Sequence, residues 1–232
     1  KKALDSGINF FDTANLYSAG SSEEIVGKAL KDFANRDEIV LASKLYFPMF
    51  DGPNAKGLSR KSIFAEIDHS LKRLQTDYLD LYQMHWPERR TNFFGVLGYT
   101  QHDDEWVDNF LESIDTMNQL VKDGKIRHWG LSNESAWGAM RSCSVADTNH
   151  LPRPVSIQNP YNLLNRSYEV GLSEISFREN ISLLAYSPMA FGLLSGKFYD
   201  KTDTPNDRIN QFKNLSSYNG SKSLEASERY IH

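Results

Sequence analysis

Four side chains among the first 85 residues have the types that proton transfer to an oxygen requires: Asp12, Tyr17, Lys44 and His85. A phenol such as Tyr17 can hydrogen-bond an oxygen and release its proton to it. Its unperturbed pKa of about 10 is too high for efficient work at neutral pH, so a neighbouring cation should lower it. Lys44 supplies such a cation, Asp12 a carboxylate to hold that cation in place and charged, and His85 a second donor to orient the same oxygen. Each also has a plainer reading: a structural ion pair, an exposed loop tyrosine, a capped strand end.

The elements around these residues alternate. Apolar runs at 8–14, 39–44, 78–85, 126–133, 155–161 and 181–187 read as strands. Stretches of helical period at 22–31, 59–74, 107–122, 135–148 and 167–180 read as helices. The helix at 59–74 opens on Ser59 and repeats Ile63, Ile67, Leu71 and Leu74 on one face, and Gly124 suits the end of the helix before it. No hairpin dipeptide joins neighbouring strands, so parallel strands with crossover helices are expected. A doubly wound sheet and a closed barrel both fit that order. Asp12, Lys44, His85, Ser132, Asn133, Gln158, Asn159, Tyr186 and Ser187 all stand where their strands run out. A (β/α)8 TIM barrel gathers such positions on one face, whereas an open sheet spreads them along an edge, so the α/β barrel is expected. Six strands are visible against the eight of a complete barrel. The start at Lys1 reads as the last turns of a helix and the end at His232 as a helix without a cap. Residues 1–232 are therefore expected to be a single barrel domain truncated at both ends, with strands 2 to 7 present. The segment 201–220 is polar and reads as a long loop.

Composition excludes several classes. With 26 Lys and Arg against 30 Asp and Glu the formal net charge is −4, so no basic field exists to hold a nucleic-acid backbone. No apolar run reaches the length of a membrane span. The single cysteine, Cys143, rules out an intrachain disulfide and suits a reducing compartment, so a cytoplasmic location is expected. Cys143 lacks a neighbouring His or Lys and reads as a packed small residue. The six histidines are scattered and no metal site is expected. Gly192 to Lys197 is one residue short of a phosphate loop, and no G-x-G-x-x-G follows any strand.

The run Gly7-Ile8-Asn9-Phe10-Phe11-Asp12-Thr13-Ala14 with Tyr17 resembles the aldo-keto reductase signature G-x-x-x-x-D-T-A-x-x-Y. So do Leu41 to Lys44, Tyr78 to His85, Gly130 to Asn133 and Ile157 to Tyr161, in the same order and rough spacing. The stretches Ser70 to Tyr82 and Asn159 to Arg166 are most similar to the Tas-like branch of that family. The resemblance implies an NADPH-dependent enzyme that reduces aldehydes or ketones to alcohols, with Asp12, Tyr17, Lys44 and His85 as its catalytic tetrad. No side chain donates hydride, so a nicotinamide must supply it. The resemblance further implies that Ser132, Asn133 and Gln158 hydrogen-bond the nicotinamide carboxamide and that Tyr186 stacks on its ring. Ser187, Pro188, Met189, Gly192, Leu194 and Lys197 match the loop that runs along the pyrophosphate of NADP(H). The segment that grips the adenosine 2′-phosphate is expected beyond His232.

Tyr46, Phe47, Trp86, Phe93, Phe94 and Tyr99 lie on loops past the strand ends, either a rim around a small carbonyl substrate or ordinary loop packing. Arg89 and Arg90 either meet an acidic substrate or lie in solvent. A second function class stays open: a nucleotide-sensing regulatory subunit, like the potassium-channel β-subunits of the same superfamily, keeps the tetrad but acts through a partner. The oligomeric state is not legible.

Overall fold

The computed structural model describes residues 1–52, 54–92, 98–100, 102, 105–212, 218 and 220–231. Along the chain the elements run α1 (Lys2–Asp5), β1 (Phe10–Asp12), α2 (Ser21–Phe33), β2 (Val40–Leu45), α3 (Arg60–Leu74), β3 (Leu79–Met84), α4 (Phe110–Lys122), β4 (Ile126–Ser132), α5 (Ala136–Thr148), β5 (Ser156–Pro160), α6 (Leu172–Glu179), β6 (Ser182–Tyr186), α7 (Arg208–Gln211) and α8 (Ser221–Ile231).

All neighbouring strands pair in parallel, in the order β1-β2-β3-β4-β5-β6. That order decides between the two architectures. A doubly wound sheet reverses direction at a switch point, whereas a barrel adds each strand beside the last. The sheet also curls. Gln83 of β3 bonds Asp12 at the end of β1, two strands away, and the phenol at the end of β6, Tyr186, lies near enough to Tyr17 for the two phenols to interact. In a flat sheet β1 and β6 would stand roughly 24 Å apart, at about 4.8 Å per strand. The described chain is thus a curled six-stranded parallel sheet with its helices outside, consistent with an incomplete TIM barrel.

Local chemistry sets the helix ends. Ser59 caps α3, its hydroxyl accepting from the Ser62 amide, and Ser135 caps α5 through Gly138. Gly124 closes α4 at φ +73°, where a β-carbon would be strained. The helix expected from 107 begins at Phe110, because the Asp108 carboxylate accepts from the Phe110 amide and from Arg141. The helix expected over 167–180 is a 3-10 turn (Ser167–Val170) and then α6, broken at Gly171 with φ −147°. The loop expected over 201–220 carries the short α7.

Helices meet the sheet through one apolar layer that includes Leu41, Leu45, Ile63, Ile67, Leu79, Tyr82, Ile114, Met117, Leu120, Ile126 and Trp129. Helix α2 lies tight on α3: a β-carbon on Gly27 would fall 2.5 Å from the Leu74 carbonyl. Behind the sheet the fully buried Glu23 accepts from Arg73 of α3 at 2.6 Å and Ser43 of β2 at 2.5 Å, so a buried carboxylate is paired on both oxygens. Cys143 is buried in α5, where burial pushes its thiol up, as expected of a packed residue.

Candidate active site

The strand ends bring Asp12, Tyr17, Lys44 and His85 together. Lys44 stands near the end of β2 with its side chain fully buried. Its ammonium has three donors, and three acceptors surround it: Asp12 Oδ2 at 2.6 Å, the Thr13 carbonyl at 2.8 Å and the Tyr17 hydroxyl at 3.4 Å. The third contact fixes the sense of the phenol. Tyr17 Oη accepts from Lys44, so its own proton is free to point away from the lysine. Tyr17 is 40% exposed and lies edge-on to His85, ring centroids 5.8 Å apart.

His85 follows β3 and is 8% exposed. Burial and then the Lys44 charge hold its pKa down to about 3, so the ring is neutral at physiological pH. Its Nδ1 is buried and has no hydrogen-bond partner among the described residues. A stranded N–H costs more than a bare lone pair, which places the proton on Nε2. A neutral imidazole with Nε2–H is a hydrogen-bond donor that brings no charge of its own.

Asn133 ties four strands together. It sits just past β4 at φ +54°. Its Nδ2 donates to the His85 carbonyl at 3.1 Å and to Ser132 Oγ at 3.2 Å, and its Oδ1 accepts from the Tyr186 hydroxyl at 2.8 Å. Ser132 in turn donates to the Gln158 carbonyl at 3.0 Å. Both amide donors of Asn133 are therefore spent within the protein, and one Oδ1 lone pair remains. The Gln158 carboxamide is different: among the described residues its side chain has no hydrogen-bond partner. Tyr186 ends β6, and burial, with Tyr218 and Tyr17 nearby, raises its phenol well above the ordinary range. It stays a neutral donor.

After Ser187 the chain winds through tight turns, with Ser187, Ala190, Phe191 and Gly192 all at positive φ. Pro188 and Met189 are exposed and Leu194 half-buried. Lys197 lies under Gly192, and its ammonium is bonded to the Asp207 carboxylate, which Lys197 and then the Thr204 amide hold below the usual carboxylate range.

The aromatic residues divide. Phe47 packs edge-on against His85 at 5.2 Å and Trp86 at 5.5 Å. Tyr46 lies behind it, 8% exposed, with its edge on Phe47 at 5.1 Å. Phe93 and Phe94 lie outside the described residues. Arg89 is neither in solvent nor open to a substrate. It is buried and forks onto Glu134 at 2.5 and 3.0 Å, with its guanidinium 4.8 Å from the Trp137 ring. Two charges buried together satisfy each other, which removes Arg89 from anion recognition.

Sequence reasoning passed over two groups. One is that Arg89–Glu134 pair. Glu134 is also clipped by Asn159, whose side chain accepts from the Glu134 amide at 3.2 Å and donates to its carbonyl at 2.9 Å. The other is Gln83, fully buried, whose Nε2 donates to Asp12 Oδ1 at 2.9 Å. Its signal was present: a lone carboxamide in an apolar strand, two residues before His85 and so on the same face. No group of three His, Cys, Asp or Glu side chains gathers among the described residues as a metal would need, and none of their helices is long and apolar enough to cross a membrane.

The aldo/keto reductase family model matches residues 1–231. The chain is 43% identical to protein tas of Escherichia coli (strain K12) over 242 residues, covering 99% of this chain and 69% of that protein. It is 36% identical to the aldo-keto reductase YhdN of Bacillus subtilis (strain 168) over 202 residues, 87% of this chain and 54% of that one. A probable voltage-gated potassium channel subunit beta of Oryza sativa subsp. japonica is 34% identical over 218 residues, 92% of this chain and 61% of its own length.

Proposed function

Because the chain belongs to the aldo/keto reductase family, we propose that it reduces aldehydes or ketones to alcohols with NADPH, in the cytoplasm, Tyr17 giving the proton. One observation carries this reading: the Lys44 ammonium donates to Tyr17 Oη and so leaves the phenol proton directed away from it. When bound, the nicotinamide supplies the hydride to the carbonyl carbon. The chain's own residues do the rest. The carbonyl oxygen accepts from Tyr17 and from His85 Nε2, both neutral donors, and the buried Lys44 charge stabilises the negative charge that develops there. Asp12 balances that charge while the site rests.

The residues present fit the cofactor. The Gln158 carboxamide, without a side-chain partner among the described residues, suits the two-way hydrogen bonding of a nicotinamide carboxamide. The Ser132–Asn133 edge beside it leaves one Oδ1 lone pair for the same group, and Tyr186 offers an aromatic ring held by its hydroxyl. Ser187, Pro188, Met189, Gly192 and Leu194 line the turn that would follow the pyrophosphate, where Lys197 would share its charge between Asp207 and a phosphate. Phe47 and Trp86 beside His85 suit the apolar part of a small carbonyl compound, with Tyr46 behind them.

The test is Tyr17→Phe. Carbonyl turnover should fall by about 10²- to 10⁴-fold, while nicotinamide-nucleotide binding by fluorescence quenching stays unchanged. Retained turnover would sink the mechanism. The likeness to the rice channel subunit supports a second reading, a nucleotide-sensing subunit with the same tetrad. That reading expects tight nucleotide binding with no sustained turnover on any carbonyl.

A further inference from the structure

We propose that Gln83 is a positioning residue for this reaction, holding the Asp12 carboxylate in the orientation that lines Lys44 up with Tyr17; the role rests on the reductase reading above. Three neighbouring strands meet at Asp12. Its Oδ2 accepts from Lys44 of β2 at 2.6 Å and its Oδ1 from Gln83 of β3 at 2.9 Å, while Asp12 itself ends β1. Lys44 and Gln83 are register partners, so their side chains rise from the same row of the sheet. Holding both oxygens fixes the plane of the carboxylate. With one oxygen released, that plane is free to turn, because the terminal torsion of an aspartate is broad and roughly two-fold. Asp12 is 27% exposed at its side chain, so water would compete for the loose oxygen.

A turn of Asp12 reaches Tyr17 through Lys44. The ammonium follows its strongest acceptor, the charged one. Of its three contacts the 3.4 Å bond to Tyr17 is the longest and would be lost first. That bond is the one that directs the phenol proton outward.

A second observation separates this role from packing. Gln83 is fully buried, and among the described residues its Oε1 has no hydrogen-bond partner. A buried acceptor left unsatisfied is costly. A Leu or Met would serve the strand better if filling space were the position's only task. The carboxamide is oriented by its bond to Asp12, since the opposite orientation would set Oε1 against a carboxylate oxygen.

The test is a double-mutant cycle in the full chain with Gln83→Met, Asp12→Ala and both together. The readouts are kcat and KM for a carbonyl substrate, NADPH affinity by fluorescence quenching, and thermal unfolding. Gln83→Met should lower kcat by about tenfold, the loss of one hydrogen bond to a charged group, and leave KM and NADPH affinity within about twofold. In the Asp12→Ala background the same substitution should change kcat by less than about twofold, because the side chain it acts through has gone. Equal losses in both backgrounds overturn the proposal. Gln83→Glu adds a pH signature. The introduced carboxyl repels Asp12 when ionised and donates to it when protonated, so kcat relative to the unmutated protein should climb as pH falls. A flat ratio also overturns it. If the unmutated protein turns over no carbonyl, the reductase reading has failed on its own account. The Gln83–Asp12 coupling is then read from thermal unfolding, where strictly additive shifts refute it.

Discussion

Lowering the pH from 8 to 5 should destabilise the protein by about 2 kcal/mol through one buried ring. His85 is 8% exposed, and burial together with Lys44 holds its pKa at about 3 against an ordinary 6.5. In the unfolded chain the ring is in water and titrates normally. Between pH 6.5 and 3 the unfolded state therefore binds a proton that the folded state refuses. A state that binds more protons gains as pH falls, so folding stability is full above about 6.5 and declines through that window. At pH 5 the chain is about 1.5 pH units into it, and at about 1.4 kcal/mol per unit the loss is roughly 2 kcal/mol. At pH 4 it approaches about 3 kcal/mol. Urea denaturation at pH 8 and pH 5 measures the loss directly, beside His85→Gln, whose side chain has no charge to gain. Carboxylates and surface histidines titrate in both proteins, so the informative quantity is the difference between the two losses. His85→Gln should lose about 2 kcal/mol less than the unmutated chain. Equal losses would mean that His85 charges in the folded state. The assignment of a neutral ring donating through Nε2 would then be wrong.

Two further perturbations probe the frame that carries the site. Glu134→Gln leaves the buried Arg89 guanidinium without a counter-charge and should cost about 3–5 kcal/mol in urea denaturation; replacing both partners by apolar residues should recover most of it. Gly130→Ala would put a β-carbon 2.5 Å from Ser156 Oγ and 3.0 Å from the Ser156 carbonyl, a clash within β4 and β5 worth about 1–3 kcal/mol. Adding Ser156→Ala should return part of that loss in the same assay, because one of the two obstructions is a side chain and the other is backbone.

The sequence by itself determined the order of elements and which polar side chains stand at the strand ends. Short β-branched and apolar runs alternate with stretches of helical period, and Ser59, Ser135 and Gly124 mark helix ends by chemistry that acts within a few residues. Local rules of that kind are written in adjacent residues and need no partner from elsewhere. The position of Asp12, Lys44, His85, Ser132 and Tyr186 at strand ends was legible for the same reason. Boundaries were legible only to within a few residues. The start of α4 moved to Phe110 because Asp108 turns to Arg141 in α5, 33 residues away.

The tertiary structure supplied the strand order that the expected barrel requires, since a doubly wound sheet gives the same alternation and differs only in which strand lies beside which. It also decided what each polar side chain is free to do. Arg89 looks in sequence like an available cation, yet it is consumed by Glu134, and Asn133 spends its amide donors on His85 and Ser132. Gln83 stands out in sequence as a carboxamide in an apolar strand, but its partner is visible only once the curl of the sheet brings Asp12 against it. Hydrogen bonds between residues 32, 45 or 71 positions apart have no local signature. They exist because the sheet curls around them, and they hold Lys44 between Asp12 and Tyr17.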